Sequence, residues 1–331
     1  MHRRSFLTLL GGASAAGWSL AASAQQDGRV RRIGWLTGEA ENAPGSSAER
    51  AAFREGLSAL GWVEGRNLQI DLRFGANDPD HIHASAAELV RLAPDAIVTD
   101  GGAPINALRQ LTQTIPIVFT GGPDPAAIGL LRNISRPEGN FTGFVNLEPS
   151  IIGKSLELLK EVAPRLSRVA IVFNPDLSPT APAYVALIEA AAPTLGVKTF
   201  EMPIGNAISI VRALDTFAAV PNGGLLVLPP RNTIAIRETI IPLAAEHRLP
   251  AIYPGRSDAA AGGLLAYAID RVEQSRRAAT YVDRLLRGAK ISELPVQFPT
   301  KFELVVNLKT AKATGLTIPE AFLLRADEVI E

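Results

Sequence analysis

The sequence predicts an α/β protein of two lobes, each built on a parallel sheet covered by helices. Three observations carry this reading. Apolar runs of strand length alternate with amphipathic runs of helix length from residue 32 to residue 119, the alternation starts afresh at Val169, and glycine-rich or Asn/Pro turns follow the strands. Between the two arrays lies GNFTGFVNLEPSIIGKSLELLKEVAPRL (139–166), a short strand over 142–147 and then a helix from Ile151. It reads as a crossing between lobes, which bends as they close and brings Asn146 to a ligand.

In the first array, residues 32–37, 95–99 and 115–119 are the continuous apolar runs expected of strands buried on both faces, whereas 67–74 alternates as a half-solvated strand does. Helices are expected from Ala48 to a stop at Gly61, over 82–92 after the Asp78-Pro79 start, and over 103–111. The second array repeats the plan, with strands at 168–173, 197–202, 224–228, 250–253 and 263–268 and helices at 181–195, 207–219 and 234–247. A helix over 271–287, an extended 295–299, a strand over 302–308 and a short helix over 310–314 then read as a tail returning to the first lobe. The expectation is two Rossmann-like lobes, 30–148 plus 270–331 and 149–269.

Residues 1–24 read as an address. A basic start at His2-Arg3-Arg4 precedes a mildly apolar run and an A-x-A site, so cleavage is expected after Ala24, and RRSFL (3–7) fits the twin-arginine export pattern. No other stretch has the length and apolarity to span a bilayer, so a chain that is not membrane-embedded is expected. Lys plus Arg equals Asp plus Glu at 33 each, which gives no field to attract nucleic acid. The absence of cysteine excludes disulfides, thiolate metal sites and cysteine nucleophiles.

Ligands of open parallel sheets bind beyond the carboxyl ends of the strands. The first array places Gly38, Glu39, Asp100, Gly101, Gly102, Ala103, Gly121, Gly122 and Asp124 there; the second places Asn174, Arg231, Asn232, Tyr253, Arg256 and Tyr267. The first set offers backbone amides and the second charge and aromatic surface. This suits a small ligand whose carboxylate meets a helix N-terminus or an arginine and whose apolar body meets a ring. Each residue also has a plainer role: the glycines make turns, Asp124 caps, the arginines sit at the surface, and the tyrosines pack in a core. His81 and His83 point to different faces of a helix start, which is no metal site, and no metal or cofactor is expected.

Catalytic patterns are missing: there is no G-x-S-x-G, no phosphate loop, no H-E-x-x-H and no G-x-G-x-x-G after the first strand. A binding protein is therefore expected. The alternatives are an exported two-lobed enzyme using Asp100 and Asp124 as an acid–base pair, and a ligand sensor for a membrane receptor.

Over almost its whole length beyond residue 24 the chain resembles the substrate-binding proteins of ABC importers, in the family related to tryptophan- and tyrosine-type binding proteins. GLSALGWVEGRN (56–67), TIPIVF (114–119), SRPEGNFTG (135–143), LELLKE (156–161), RRAATYVD (276–283) and PTKFELVVNLKTAK (299–312) carry the resemblance, the last most specifically. It implies a periplasmic binding protein of type 1, a monomer with three crossings between lobes that closes like a hinge and delivers its ligand to the transmembrane subunits of an ABC permease. It places ligand loops at 101–103, 122–125, 174–175, 229–232 and 253–256. Relatives often carry Gly-Thr-Pro-Ala after the third strand, where this chain has Gly101-Gly102-Ala103-Pro104. A Thr-Asp-Asn-Thr loop is replaced by Pro230-Arg231-Asn232-Thr233, an acid exchanged for a base. A small organic acid or amino acid, aromatic or otherwise, is the implied ligand, and that exchange tilts the expectation toward an aromatic or other organic carboxylate.

Overall fold

A strand with parallel neighbours on both sides has to be apolar on both faces, and β1 (Arg31–Thr37) is: all its residues from Ile33 onward are buried. The computed structural model describes residues 29–43, 46–121, 129–146, 149–175, 181–205, 207–228 and 234–331. The expected leader and Gly122, Asp124, Arg231 and Asn232 lie outside the described residues. After β1 the first lobe continues with α1 (Ser46–Ala59), β2 (Leu68–Phe74), α2 (Pro79–Arg91), β3 (Ala96–Asp100), α3 (Gly102–Leu111), β4 (Ile117–Thr120) and β5 (Phe141–Phe144). Asp78 starts α2 by accepting from the Asp80 and His81 amides, with Pro79 in the first turn. The five strands are parallel, in the order β2-β1-β3-β4-β5.

From β5 the chain passes through α4 (Pro149–Val162) into a second lobe. It comprises β6 (Arg168–Phe173), α5 (Ala181–Ala191), β7 (Lys198–Pro203), α6 (Ala207–Ala218), β8 (Gly223–Val227), α7 (Ile234–Glu246), β9 (Ala251–Tyr253), α8 (Arg256–Ala260) and β10 (Leu265–Ile269). Its parallel strands run β10-β9-β8-β6-β7, the same order as the first lobe. Each sheet is covered on both faces. In the first lobe one core gathers Ile33, Trp35, Phe53 and Leu57, and the opposite one Leu36, Ile82, Leu89 and Phe119.

The tail departs from the expectation. α9 (Arg271–Leu286) does return to the first lobe, where Ala278, Ala279, Val282 and Leu286 complete the core of Phe53 and Leu57. Gly56 permits this approach, since a Cβ there would stand 2.8 Å from that of Ala279. Gln297 then runs beside β5, its amide donating to Gly143 and its carbonyl accepting from Val145. Beyond it, β11 (Phe302–Asn307), α10 (Leu308–Ala313), α11 (Glu320–Leu323) and β12 (Glu328–Ile330) belong with the second sheet. β11 pairs antiparallel with β10, and β12 parallel with β11. The assignment of all of 270–331 to the first lobe is corrected: residues 302–330 complete the second. The physical reason is the open edge of β10, whose backbone groups β11 satisfies, with Phe322 buried in the second core. The chain thus passes between the sheets three times, after β5, at Asp270, and between Gln297 and Phe302.

Candidate functional site

In an order such as β2-β1-β3-β4-β5 the loops after β1 and β3 leave toward opposite faces and open a crevice at the carboxyl ends. Thr37, Gly38 and Asp100 occupy it. Asp100 Oδ1 accepts from the Thr37 hydroxyl at 3.1 Å and from the Gly38 amide at 3.3 Å. Gly101, at φ +77°, turns the chain directly into α3, which no side chain caps. The α3 N-terminus, including Gly102 and Ala103, is therefore open to an anion.

Two residues that the sequence did not point to complete this wall. Arg271, the first residue of α9, grips Glu49 of α1 bidentately, Nε to Oε1 at 2.7 Å and Nη2 to Oε2 at 2.8 Å. Their side chains are only 19% and 15% exposed. Burial alone would draw the guanidinium down, but Glu49, Asp100 and Glu39 hold its pKa above the usual value. Asp100 is pushed up to about 7, chiefly by burial; Arg271 opposes the shift, the charges of Glu39 and Glu49 add to it, and the Thr37 hydrogen bond lowers it. Among the described residues, three carboxylates thus act on one guanidinium.

Beside this cluster, Gly121 (φ +75°) closes β4 and donates its amide to Phe144 at 2.7 Å. A Cβ at Gly121 would meet Asn146 Nδ2 at 2.4 Å, so only glycine admits Asn146 here. Asn146 Oδ1 is buried without a hydrogen-bond partner among the described residues.

The second lobe places its candidates less uniformly. Asn174, half-buried, follows β6 at the corresponding crevice. Tyr253 is 3% exposed within the core around Ile240 and Leu249, covered on the side where Gly263 lacks a Cβ that would stand 2.7 Å from the ring. Its phenol is pushed up by burial and by Asp258. Tyr267 is half-buried and lies 5.9 Å from the Phe302 ring. Arg256 is exposed and pairs with Glu328 at 2.5 Å. At the second passage between lobes, Asp270 caps α9 through the Glu273 amide and binds Lys301 at 2.7 Å. Burial, together with Asp270, pushes the neighbouring Glu303 up.

Among the described residues no group of His, Asp or Glu could hold a metal ion, and no helix is long and apolar enough to cross a membrane. A family described as ABC transporter substrate binding protein matches residues 42–330. A tyrosine-binding protein of Clostridioides difficile is 24% identical over 274 residues, 82% of this chain and 78% of that protein. Among solved structures, a conserved domain protein of Vibrio cholerae O1 biovar eltor superposes with TM-score 0.80 at 27% identity, over 91% of this chain and 100% of that one. An ABC domain of Streptococcus pneumonia in complex with L-Trp gives TM-score 0.80 at 22% identity, over 91% and 99%.

Proposed function

Because the chain belongs to the ABC transporter substrate-binding proteins, a family of non-catalytic extracytoplasmic receptors, we propose that its ligand is an amino acid with an aromatic side chain, held between the lobes by an ammonium contact at Asp100. The observation that carries this is the excess of acid around Arg271. The guanidinium is committed to Glu49, and Asp100 with Glu39 remains as an acceptor for a positive group. Replacement of an acid by Arg231 tilted the sequence reading away from an amino group, but Asp100, on the opposite lobe, supplies the acceptor. The names of the tyrosine-binding relative and of the L-Trp complex support the aromatic part. In this reading the ligand carboxylate meets the α3 N-terminus, and the loaded receptor, a periplasmic monomer freed of residues 1–24, docks on the transmembrane subunits of its permease.

Burying an aromatic body of roughly 150–250 Å² contributes about 4–6 kcal/mol, much of it offset by association costs. Micromolar affinity, about −8 kcal/mol, therefore depends on the polar contacts. Titration calorimetry with L-tyrosine, L-tryptophan, tyramine and 3-(4-hydroxyphenyl)propionate tests the reading. The amino acids are expected to bind, and deletion of the amino group to cost at least tenfold. Equal or tighter binding of the propionate would return the ligand to the organic acids.

A further inference from the structure

β7 ends the second sheet, so one side of its backbone has no neighbouring strand among the described residues. The Lys198 amide donates inward to Ser167 and the Ile204 amide inward to Phe173. Backbone groups of a parallel strand alternate between its two sides, so Thr199 and Glu201 turn their N–H and C=O groups outward. Pro203, with no N–H, closes the strand. Against this edge, β7 and α6 enclose an open groove of about 980 Å³, its floor formed by Phe200, Met202 and Phe217. Ile208 and Val220 on the α6 wall are 69% and 49% exposed, which leaves an apolar strip in solvent.

The charge around the groove is one-sided. Arg168 stands beside Lys198 in the sheet register. Its guanidinium donates to the Val220 carbonyl at 2.9 Å and lies 4.4 Å from the centre of the Phe217 ring, while Lys198 Nζ lies 5.2 Å from that of Phe200. Arg212 is exposed on the α6 wall. Among the described residues no carboxylate pairs with any of these three cations. Asp215 of α6 turns to His247 instead, and Glu201 leaves β7 on the face opposite Phe200. Because α6 runs back along β7, the cations Arg168 and Lys198 mark one end of the groove, and Ile208 and Met202 the other.

We propose that this groove docks an extended acidic segment of a partner protein, which adds to β7 as a further strand. Its backbone pairs with Thr199 and Glu201, its apolar side chains cover Phe200 and Phe217, and an acidic side chain meets Arg168, Lys198 and Arg212. A lipid surface would satisfy the cations but leave the outward amides without partners. The groove uses none of the residues of the crevice between the lobes, so the inference stands apart from the amino acid reading.

A library of N-acetylated peptides as long as β7 tests this by selection on the immobilised protein. Sequences that alternate aromatic or aliphatic with polar residues and carry Asp or Glu at one end are expected. A selected peptide should slow hydrogen exchange at the Thr199 and Glu201 amides about tenfold or more and leave the inward Phe200 amide unchanged. The variant Lys198→Glu with Arg212→Glu alters two exposed side chains. It is expected to bind the acidic peptide about tenfold more weakly or worse, and to select basic sequences in its place. The proposal is overturned if no acidic sequence is selected, if the bound peptide leaves both amides exchanging as before, or if charge reversal leaves the preference unchanged. Slow exchange at those amides that grows with protein concentration, without peptide, would give the edge to a second copy. Binding to phosphatidylglycerol vesicles with no peptide selected would give the groove to a membrane, and either result overturns the peptide partner.

Discussion

Replacing Arg271 with methionine keeps most of the side-chain stem and removes the guanidinium. Glu49 then loses two charge-assisted hydrogen bonds of 2.7 and 2.8 Å while remaining 15% exposed. Removing one partner of a buried ion pair costs about 3–5 kcal/mol, and the water that reaches this pair reduces the expectation to about 2–4 kcal/mol. At about 2–4 °C per kcal/mol for a domain of this size, the first lobe should melt roughly 5–15 °C lower. Once residues 1–24 are gone, the remaining tryptophans are Trp35 and Trp62, both packed in the first lobe, so their fluorescence reports its unfolding selectively. The double variant Glu49→Gln with Arg271→Met no longer strands the Glu49 charge and should recover most of that loss, short of what Asp100 and Glu39 lose with the guanidinium. A loss below about 0.5 kcal/mol in Arg271→Met, or a double variant that costs the sum of the singles, would refute the idea that the pair holds α9 against α1.

Two further outcomes are expected. The folded-state pKa of Asp100 lies above its ordinary value of 3.8, so the folded chain holds that proton more tightly than the unfolded chain does. Its contribution to stability is fully present below about pH 4 and is lost as pH rises toward 7. Urea titrations across that window should show a stability advantage over Asp100→Asn that shrinks with rising pH; an advantage that grows would reverse the assignment. Arg256→Ala breaks an exposed pair with Glu328, worth about 0–1 kcal/mol, and should leave ligand affinity within about twofold. A tenfold loss in calorimetry would restore Arg256 as an anchor.

The architecture was legible because strands with parallel neighbours are apolar throughout, and runs such as AIVT before Asp100 and IVFT before Gly121 stand out between amphipathic helices. The destination of the tail was not. The alternation in FELVVN marks a strand but names no edge to join, and the three residues of β12 carry no signal of their own. Asp100, Gly101 and Asn146 could be placed at strand ends because the apolar runs before them stop there, and Asp100 closes β3 with Gly101 next to it. The Arg271–Glu49 pair was missed because 222 residues separate its members, and each alone looks like an ordinary charge at a helix start. Tyr253 ends an apolar run, which left a ligand platform and core packing equally open in the sequence; a glycine ten positions later lets the chain cover its ring.

The core between α1 and α9 sets a clock for biosynthesis. Trp62 donates to Asp283 at 2.8 Å across 221 residues, and Leu294 closes the same core. At ribosomal rates of 5–20 residues per second, α1 emerges roughly 10–45 s before the helix it packs against. For that interval Phe53 and Leu57 lack the cover of Ala278, Ala279 and Val282, and part of their apolar surface faces solvent. A chain truncated before Arg271 would lack this cover permanently.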